Sequence, residues 1–231
     1  TANTQPAILT MSVAAYYASL AEGLPEPDFV AGHSLGEYSA LVAAGVLDFA
    51  DAVRTVRKRG TYMQEAVPVG VGAMAAILGL SVEDVEAGCT EAAEGQVCSP
   101  ATINSPSQIV IAGNSEAIDR ACEILKEKGA KRAIRLNVSA PFHCGLMMPA
   151  QERLRADLEL LEYGNFAMPI FHNVDAASNA DSAAVCGKLT EQVSSPVRWL
   201  QSIENRAAAG VGKFVEIGPG KVLCGLVRQI D

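Results

Sequence analysis

PDFVAGHSLGEYSALVAAGVL, residues 27–47, passes from a short β-like run through a glycine-flanked turn into a helix that carries Leu35, Leu41, Val42 and Val46 on related faces. A strand, a turn and a helix in that order predict an α/β fold, and the alternation continues along the chain. Asp48 reads as the N-cap of a long helix whose apolar positions Phe49, Val53, Val56, Gly60 and Met63 recur at spacings of three and four, with Pro68 closing it. From Gly72 the pattern becomes a strand (AMAAILGL), a helix (SVEDVEAGCTEAAE), strands near 101–103 and 108–112, a helix (EAIDRACEILKEKG) and a strand (AKRAIRLNV). This β-α-β-β-α-β order predicts a ferredoxin-like subdomain over residues 69–138, inserted into a larger body of residues 1–68 and 139–231. Beyond it come the turn-like SAPFHCG, a helix over 149–161, a strand at PIFHNVD, a helix near 195–209 and a strand at KFVEIG.

With 231 residues, 49% of them hydrophobic, the chain is long enough to bury a substantial core. The opening TANTQPAIL lacks the basic start and cleavage pattern of a signal peptide, and no apolar run reaches the ~20 residues that span a bilayer. A cytoplasmic protein with no membrane partner is expected. Six cysteines, at 89, 98, 122, 144, 186 and 224, form no CxxC pair, so neither a metal site nor a disulfide framework is signalled and no metal is expected. A net charge of −8 argues against nucleic acid as a partner, because phosphate binding needs clustered positive surface.

Within the opening stretch, GHSLG (32–36) fits GxSxG, the turn that lifts a serine hydroxyl clear of a sheet. A chain of this composition would contain the pattern about 0.1 times by accident, so its weight comes from the strand before it and the helix after it. Both glycines are expected to be required, because a side chain at Gly32 or Gly36 would crowd the turn, and Leu35 would offer its N–H to an oxyanion. The competing reading is an S-x-x-E capping box in which Ser34 and Glu37 merely start the helix. Of three histidines, His33 lies inside the elbow and His172 in a strand-like run, which leaves His143, between Pro141 and Gly145, as the expected base for Ser34, with His172 as second choice. Cys144 is discounted as a nucleophile for want of an electropositive setting. On the helix from Asp48, Arg54 and Lys58 project away from the apolar stripe, while Arg57 and Arg59 flank it; either of these two could reach inward and bind a carboxylate bidentately. GVGAMA (70–75) precedes a strand instead of following one, and GPGK (218–221) lacks the upstream glycine of a phosphate loop, so neither signals a nucleotide site.

Taken together and in order, GHSLGEYSALVAAGVL, RGTYMQEAVP, GAMAAILGL, NSPSQIVIAG, SAPFHCGLM and EIGPGKVL resemble the malonyl-CoA:acyl carrier protein transacylases of dissociated fatty acid synthesis, and the likeness spans nearly the whole chain. The resemblance implies a hydrolase-like, parallel-sheet α/β body with a ferredoxin-like insert. It makes Ser34 the nucleophile, His143 the base, Arg59 rather than Arg57 the clamp for the malonyl carboxylate, and the Leu35 N–H one oxyanion donor. It also implies that the backbone carbonyl of Gln192, in EQVSSPVRW, orients His143, in place of the acid that no motif announces. The implied substrate is malonyl-CoA, the implied acceptor acyl carrier protein, the implied state a monomer, and no cofactor is called for. Carrier docking is expected on Arg54/Lys58 or on Lys126/Lys128/Lys131/Arg132. Phe142 is expected to narrow the acyl pocket toward malonyl over methylmalonyl groups.

Such proteins begin with a strand and a GQGSQ-like motif whose glutamine helps form the oxyanion hole, and this sequence starts beyond that point. The expectation is therefore a fragment without the second oxyanion donor, with its last helix clipped at Asp231. Loss of one such donor lowers rates by about 10²- to 10³-fold. Two competing functions stand beside the transferase: a serine esterase or thioesterase, which would turn over simple esters without a thiol acceptor, and an inactive carrier-binding fragment, which would never become acylated.

Overall fold

The computed structural model describes residues 1–230; Asp231, where the helix was expected to be clipped, lies outside the described residues. The chain opens with helix α1 (Thr4–Ala21), which the sequence reading did not foresee, since apolar residues on all its sides leave no distinct stripe. Leu9, Val13 and Tyr16 nevertheless share one buried face. Strand β1 (Val30–Ala31) leads through the GHSLG turn into α2 (Gly36–Ala43), and Asp48 caps α3 (Phe49–Glu65) by accepting from the Ala50 and Asp51 N–H groups at 2.8 and 3.1 Å. Helix α1 packs against α3, and the two residues that lead into it lie at Gly60, where a Cβ would come within 2.8 Å of the Ala2 Cα. That close approach sets the first turn of α1 beside Arg59.

The middle of the chain forms β2 (Gly72–Leu78), α4 (Val82–Ala93), β3 (Cys98–Ser105), β4 (Gln108–Asn114), α5 (Ser115–Glu127) and β5 (Arg132–Arg135). All neighbours in this sheet are antiparallel, in the order β3-β4-β2-β5. Strand alternation decides its two faces. Ile109 and Ile111 bury with Ile77, Val85, Ile118 and Leu125 beneath the two helices, whereas Val110, Ala112 and Met74 turn to the other face and meet Cys144.

The body continues with α6 (Met148–Leu158), β6 (Ile170–Phe171), β7 (Ser178–Asn179), α7 (Val185–Gln192), α8 (Trp199–Ala208) and α9 (Val222–Ile230). Its core gathers α1, α2, α3, α6 and α7 around Leu41, Val56, Met147 and Leu154. Two expectations need correction here. Among the described residues the body's sheet is mixed, with β1 parallel to β6 and β6 antiparallel to β7, so only one pair bears out the parallel arrangement. KFVEIG, expected as a strand, pairs with nothing among the described residues; a cavity of about 660 Å³ is lined both by Val30 and Ala31 and by Phe214 to Ile217, and an extended segment becomes a strand only through a hydrogen-bonded neighbour.

Candidate active site

Ser34 sits between β1 and α2 at φ 54°, a left-handed conformation that a side chain adopts only where its surroundings impose it. A Cβ on Gly32 would lie 1.9 Å from the Gly36 carbonyl carbon, so the turn closes only with glycine there. Gly36 has nothing within 4 Å of such a Cβ, which corrects the expectation that both glycines are sterically required. The capping-box reading fails as well. Helix α2 has Leu35 at its N-cap position with no side-chain cap, and Glu37 turns into the interior.

The Ser34 hydroxyl lies 2.7 Å from His143 Nε2, and the other ring nitrogen, Nδ1, is 2.8 Å from the Gln192 carbonyl oxygen. A carbonyl only accepts, so the proton of the neutral ring belongs on Nδ1, which leaves Nε2 as acceptor for the serine O–H. Burial above all, helped by the nearby Arg59 charge and opposed by the Gln192 hydrogen bond, holds the His143 pKa down at about 3. The imidazole is therefore a neutral base at physiological pH. His143 also has a positive φ, 58°, so both members of the pair occupy strained backbone positions.

Arg59 is buried on α3, and its Nη2 donates to the Ser34 Oγ at 3.1 Å and to the Gln192 Oε1 at 2.9 Å, while Nη1 donates to the Gln5 Oε1 at 2.8 Å. Burial lowers its pKa, opposed by Tyr38 and Glu37. Arg57 instead lies exposed and bonds the Asn3 side chain, so packing separates the two candidates that the helical projection left open, in favour of the one the resemblance implies. Leu35 lines the same cavity, and its N–H has no hydrogen-bond partner among the described residues. The cavity holds about 350 Å³ and lies between the two parts of the chain, with Ser34, Arg59, Phe142 and His143 on one side and Met74 and Val110 on the other.

The remaining candidates fall elsewhere. His172 is fully buried, 2.6 Å from a Glu37 carboxylate oxygen, and does not touch Ser34. His33 joins the elbow to β3 through Asn104 at 2.8 Å. The Cys144 thiol donates to the Pro141 carbonyl, and burial pushes its pKa up to about 11, so it remains a protonated thiol. Of the basic clusters, Arg54, Lys58 and Lys128 pair with Asp51, Asp157 and Glu91. Sequence reasoning missed Glu37, Asn173 and Gln5. Asn173 takes the Ser34 N–H on Oδ1 at 2.7 Å and donates from Nδ2 to the Gly32 carbonyl at 2.8 Å. Its only sequence signal was a polar pair, His172 and Asn173, inside an apolar strand-like run.

A profile of the acyl transferase domain matches residues 1–229. The chain is 52% identical over 227 residues to the malonyl CoA-acyl carrier protein transacylase of Escherichia coli K12, an alignment that covers 98% of this chain and 74% of that protein. Among solved structures, the malonyl CoA-acyl carrier protein transacylase of Coxiella burnetii superposes with a TM-score of 0.98 at 48% identity, covering all of this chain and 73% of that one. A malonyl-transacylase solved in complex with its type II PKS acyl-carrier protein superposes at 0.97 with 49% identity, covering all of this chain and 74% of that one.

Proposed function

The chain belongs to the acyl transferase domain family, and on that premise we propose that it transfers the malonyl group from malonyl-CoA to the phosphopantetheine thiol of acyl carrier protein, supplying fatty acid elongation. The observation that carries this reading is the meeting of two groups at one oxygen: the Ser34 Oγ has a neutral imidazole nitrogen at 2.7 Å and a buried guanidinium at 3.1 Å.

In the first half-reaction the Ser34 Oγ attacks the thioester carbon while His143 Nε2 takes its proton. The Leu35 N–H faces the oxyanion that forms, and the Gln192 carbonyl steadies the imidazolium through Nδ1–H. Collapse breaks the C–S bond, His143 returns the proton to the departing CoA sulfur, and malonyl-Ser34 remains. The carrier thiol then gives its proton to His143 and attacks the ester carbon; Ser34 leaves and recovers the proton. Arg59 binds the free carboxylate of the acyl group. That carboxylate offsets the Arg59 charge, which otherwise depresses His143, so the base becomes stronger when the correct acyl group is in place. A plain esterase has no use for a buried arginine beside its nucleophile, and this favours the transferase. No step requires a metal or cofactor.

We read residues 69–138 as a ferredoxin-like insert, which the β3-β4-β2-β5 order and two covering helices support, in a hydrolase-like body of residues 1–68 and 139–231, supported by the strand, elbow and helix around Ser34. A cytoplasmic monomer is the state we propose; among the described residues no helix is long and apolar enough to cross a membrane. Phe142, on the cavity wall, narrows the space beside the acyl group.

Intact-protein mass spectrometry after brief exposure to malonyl-CoA, then to carrier protein, tests the reading. An adduct of malonyl mass should appear on the native chain, be absent from Ser34→Ala and discharge to the carrier; folded protein that takes no adduct would overturn it.

A further inference from the structure

We propose that Glu37 is a positioning residue whose buried carboxylate, acting through Gln192 and Asn173, sets the places of Arg59, the Ser34 backbone and the His143 ring together. The proposal deepens the transferase reading, but most of it concerns the serine and its base and stands apart from the identity of the acyl group.

Glu37 is 0% exposed and Arg59 2%, yet Arg59 forms no ion pair among the described residues. A buried guanidinium is tolerable only with acceptors around it. One of these is the Gln192 Oε1, and the nitrogen of the same amide donates to Glu37 Oε2 at 2.8 Å. The Gln192 side chain thus bridges cation and anion, oxygen toward Arg59 and nitrogen toward Glu37, and a carboxamide engaged at both ends cannot turn over. Its nitrogen also donates to the Ser34 carbonyl at 2.9 Å. Glu37 Oε2 accepts the Asn173 N–H at 3.0 Å, and the Asn173 side chain takes the Ser34 N–H. Both backbone groups of the strained serine are therefore held by side chains of residues that one carboxylate holds in turn, Gln192 through its amide nitrogen and Asn173 through its backbone N–H. The Gln192 backbone carbonyl that orients His143 belongs to the same residue.

His172 completes the arrangement at the other carboxylate oxygen. Its Nδ1 faces Glu37 Oε1, while Nε2 lies 3.0 Å from the Asn179 amide nitrogen, which also donates to the Asp181 carbonyl. An acceptor role at Nε2 leaves Nδ1–H as the donor to Glu37 Oε1, so the second carboxylate oxygen is held as firmly as the first.

The experiment measures labelling of Ser34 by a fluorophosphonate probe, which needs the serine and its base but no malonyl group, in the native chain, Glu37→Gln, Gln192→Ala and the double variant. Gln192→Ala keeps the backbone carbonyl on His143. Each single change should slow labelling about tenfold, and the double should be slower than the slower single by no more than about twofold, because the Glu37–Gln192 connection that Gln192→Ala breaks is one of the two that Glu37→Gln breaks. Effects that multiply to about 100-fold, or native labelling by Glu37→Gln, would overturn the proposal. Glu37→Asp, which keeps the charge but is too short to reach Gln192, covers the case in which Glu37→Gln fails to fold; it should label about tenfold slower than the native chain, and native labelling by it overturns the proposal equally. Malonyl adducts are read on the same samples. A native chain that labels normally but takes no malonyl group counts against the transferase reading, while the probe rates still decide the role of Glu37.

Discussion

In the β-sheet unit between Gly72 and Arg135, local preference and tertiary structure agree except at Glu94, held at φ 46°, and at the buried, unpartnered Thr102 hydroxyl; around the elbow they conflict throughout. The unit alternates its strand side chains, caps α4 with Ser81 and buries no charged side chain among its described residues. The elbow holds Ser34 and His143 at positive φ, buries Glu37, Arg59 and His172, and leaves the Arg59 Nε and the Tyr38 hydroxyl buried without partners. Such features persist only where the surroundings over-determine them, as the side-chain hydrogen bonds onto Gly32 and Ser34 do here. The difference teaches that the reactive chemistry sits where fold and local preference conflict, and that the regular unit supplies a wall for it through Met74 and Val110.

The largest effect that would sharpen this contrast is chemical. Arg59→Ala should slow Ser34 acylation by malonyl-CoA about 10²- to 10³-fold and by acetyl-CoA far less, read from initial rates of adduct formation. Equal losses for both acyl groups would remove Arg59 as the carboxylate clamp. Ile111→Ala, in the unit, should do the reverse: an unfolding free energy lower by about 2–5 kcal/mol in denaturant titration, with the acylation rate of the folded fraction nearly unchanged.

A smaller effect comes from pH. The unfolded chain protonates His143 below its ordinary 6.5, whereas the folded chain resists protonation down to about 3. This contribution to stability is whole above pH 6.5 and is lost as pH falls toward 3, by at most about 1.4 kcal/mol per pH unit. His143→Gln should flatten that part of the stability profile, and identical slopes in both proteins would contradict the depressed pKa. The smallest effect separates the two glycines of the motif. Gly36→Ala, with open space and helical geometry, should change stability by less than about 1 kcal/mol and leave acylation intact, whereas Gly32→Ala should abolish acylation. Similar behaviour of the two variants in thermal unfolding and adduct formation would show that the turn relaxes around a side chain.

The periodic elements of the chain were legible in its sequence for plain reasons. Asp48 announces a helix start, the apolar runs from Gly72 mark the strands of the unit, and the spacings of three and four on α3 place Val56, Gly60 and Met63 on its buried face, although Phe49, counted with them, is exposed at the helix start. Helix α1 was not legible, because an evenly apolar helix has no stripe to detect, and KFVEIG read as a strand although strand pairing depends on a neighbour that periodicity cannot supply. Ser34 was legible from its glycine-flanked turn and His143 by elimination. Glu37 carried a misleading signal, since its spacing from Ser34 matches a helix cap as well as it matches a buried anion.

The sequence by itself therefore determined the α/β class and most of the helices and strands, and it singled out Ser34 and His143 as the pair proposed for nucleophile and base, because these follow from short-range spacing and from the scarcity of suitable residue types. The family resemblance already selects Arg59 over Arg57 and the Gln192 backbone carbonyl; only the tertiary structure decided that the Gln192 side chain serves the site as well, and that one carboxylate on α2 reaches Gln192, Asn173 and His172. These are contacts between residues up to 158 positions apart, and their geometry is set by how closely α1, α3 and α7 pack around the elbow. No local pattern carries that information.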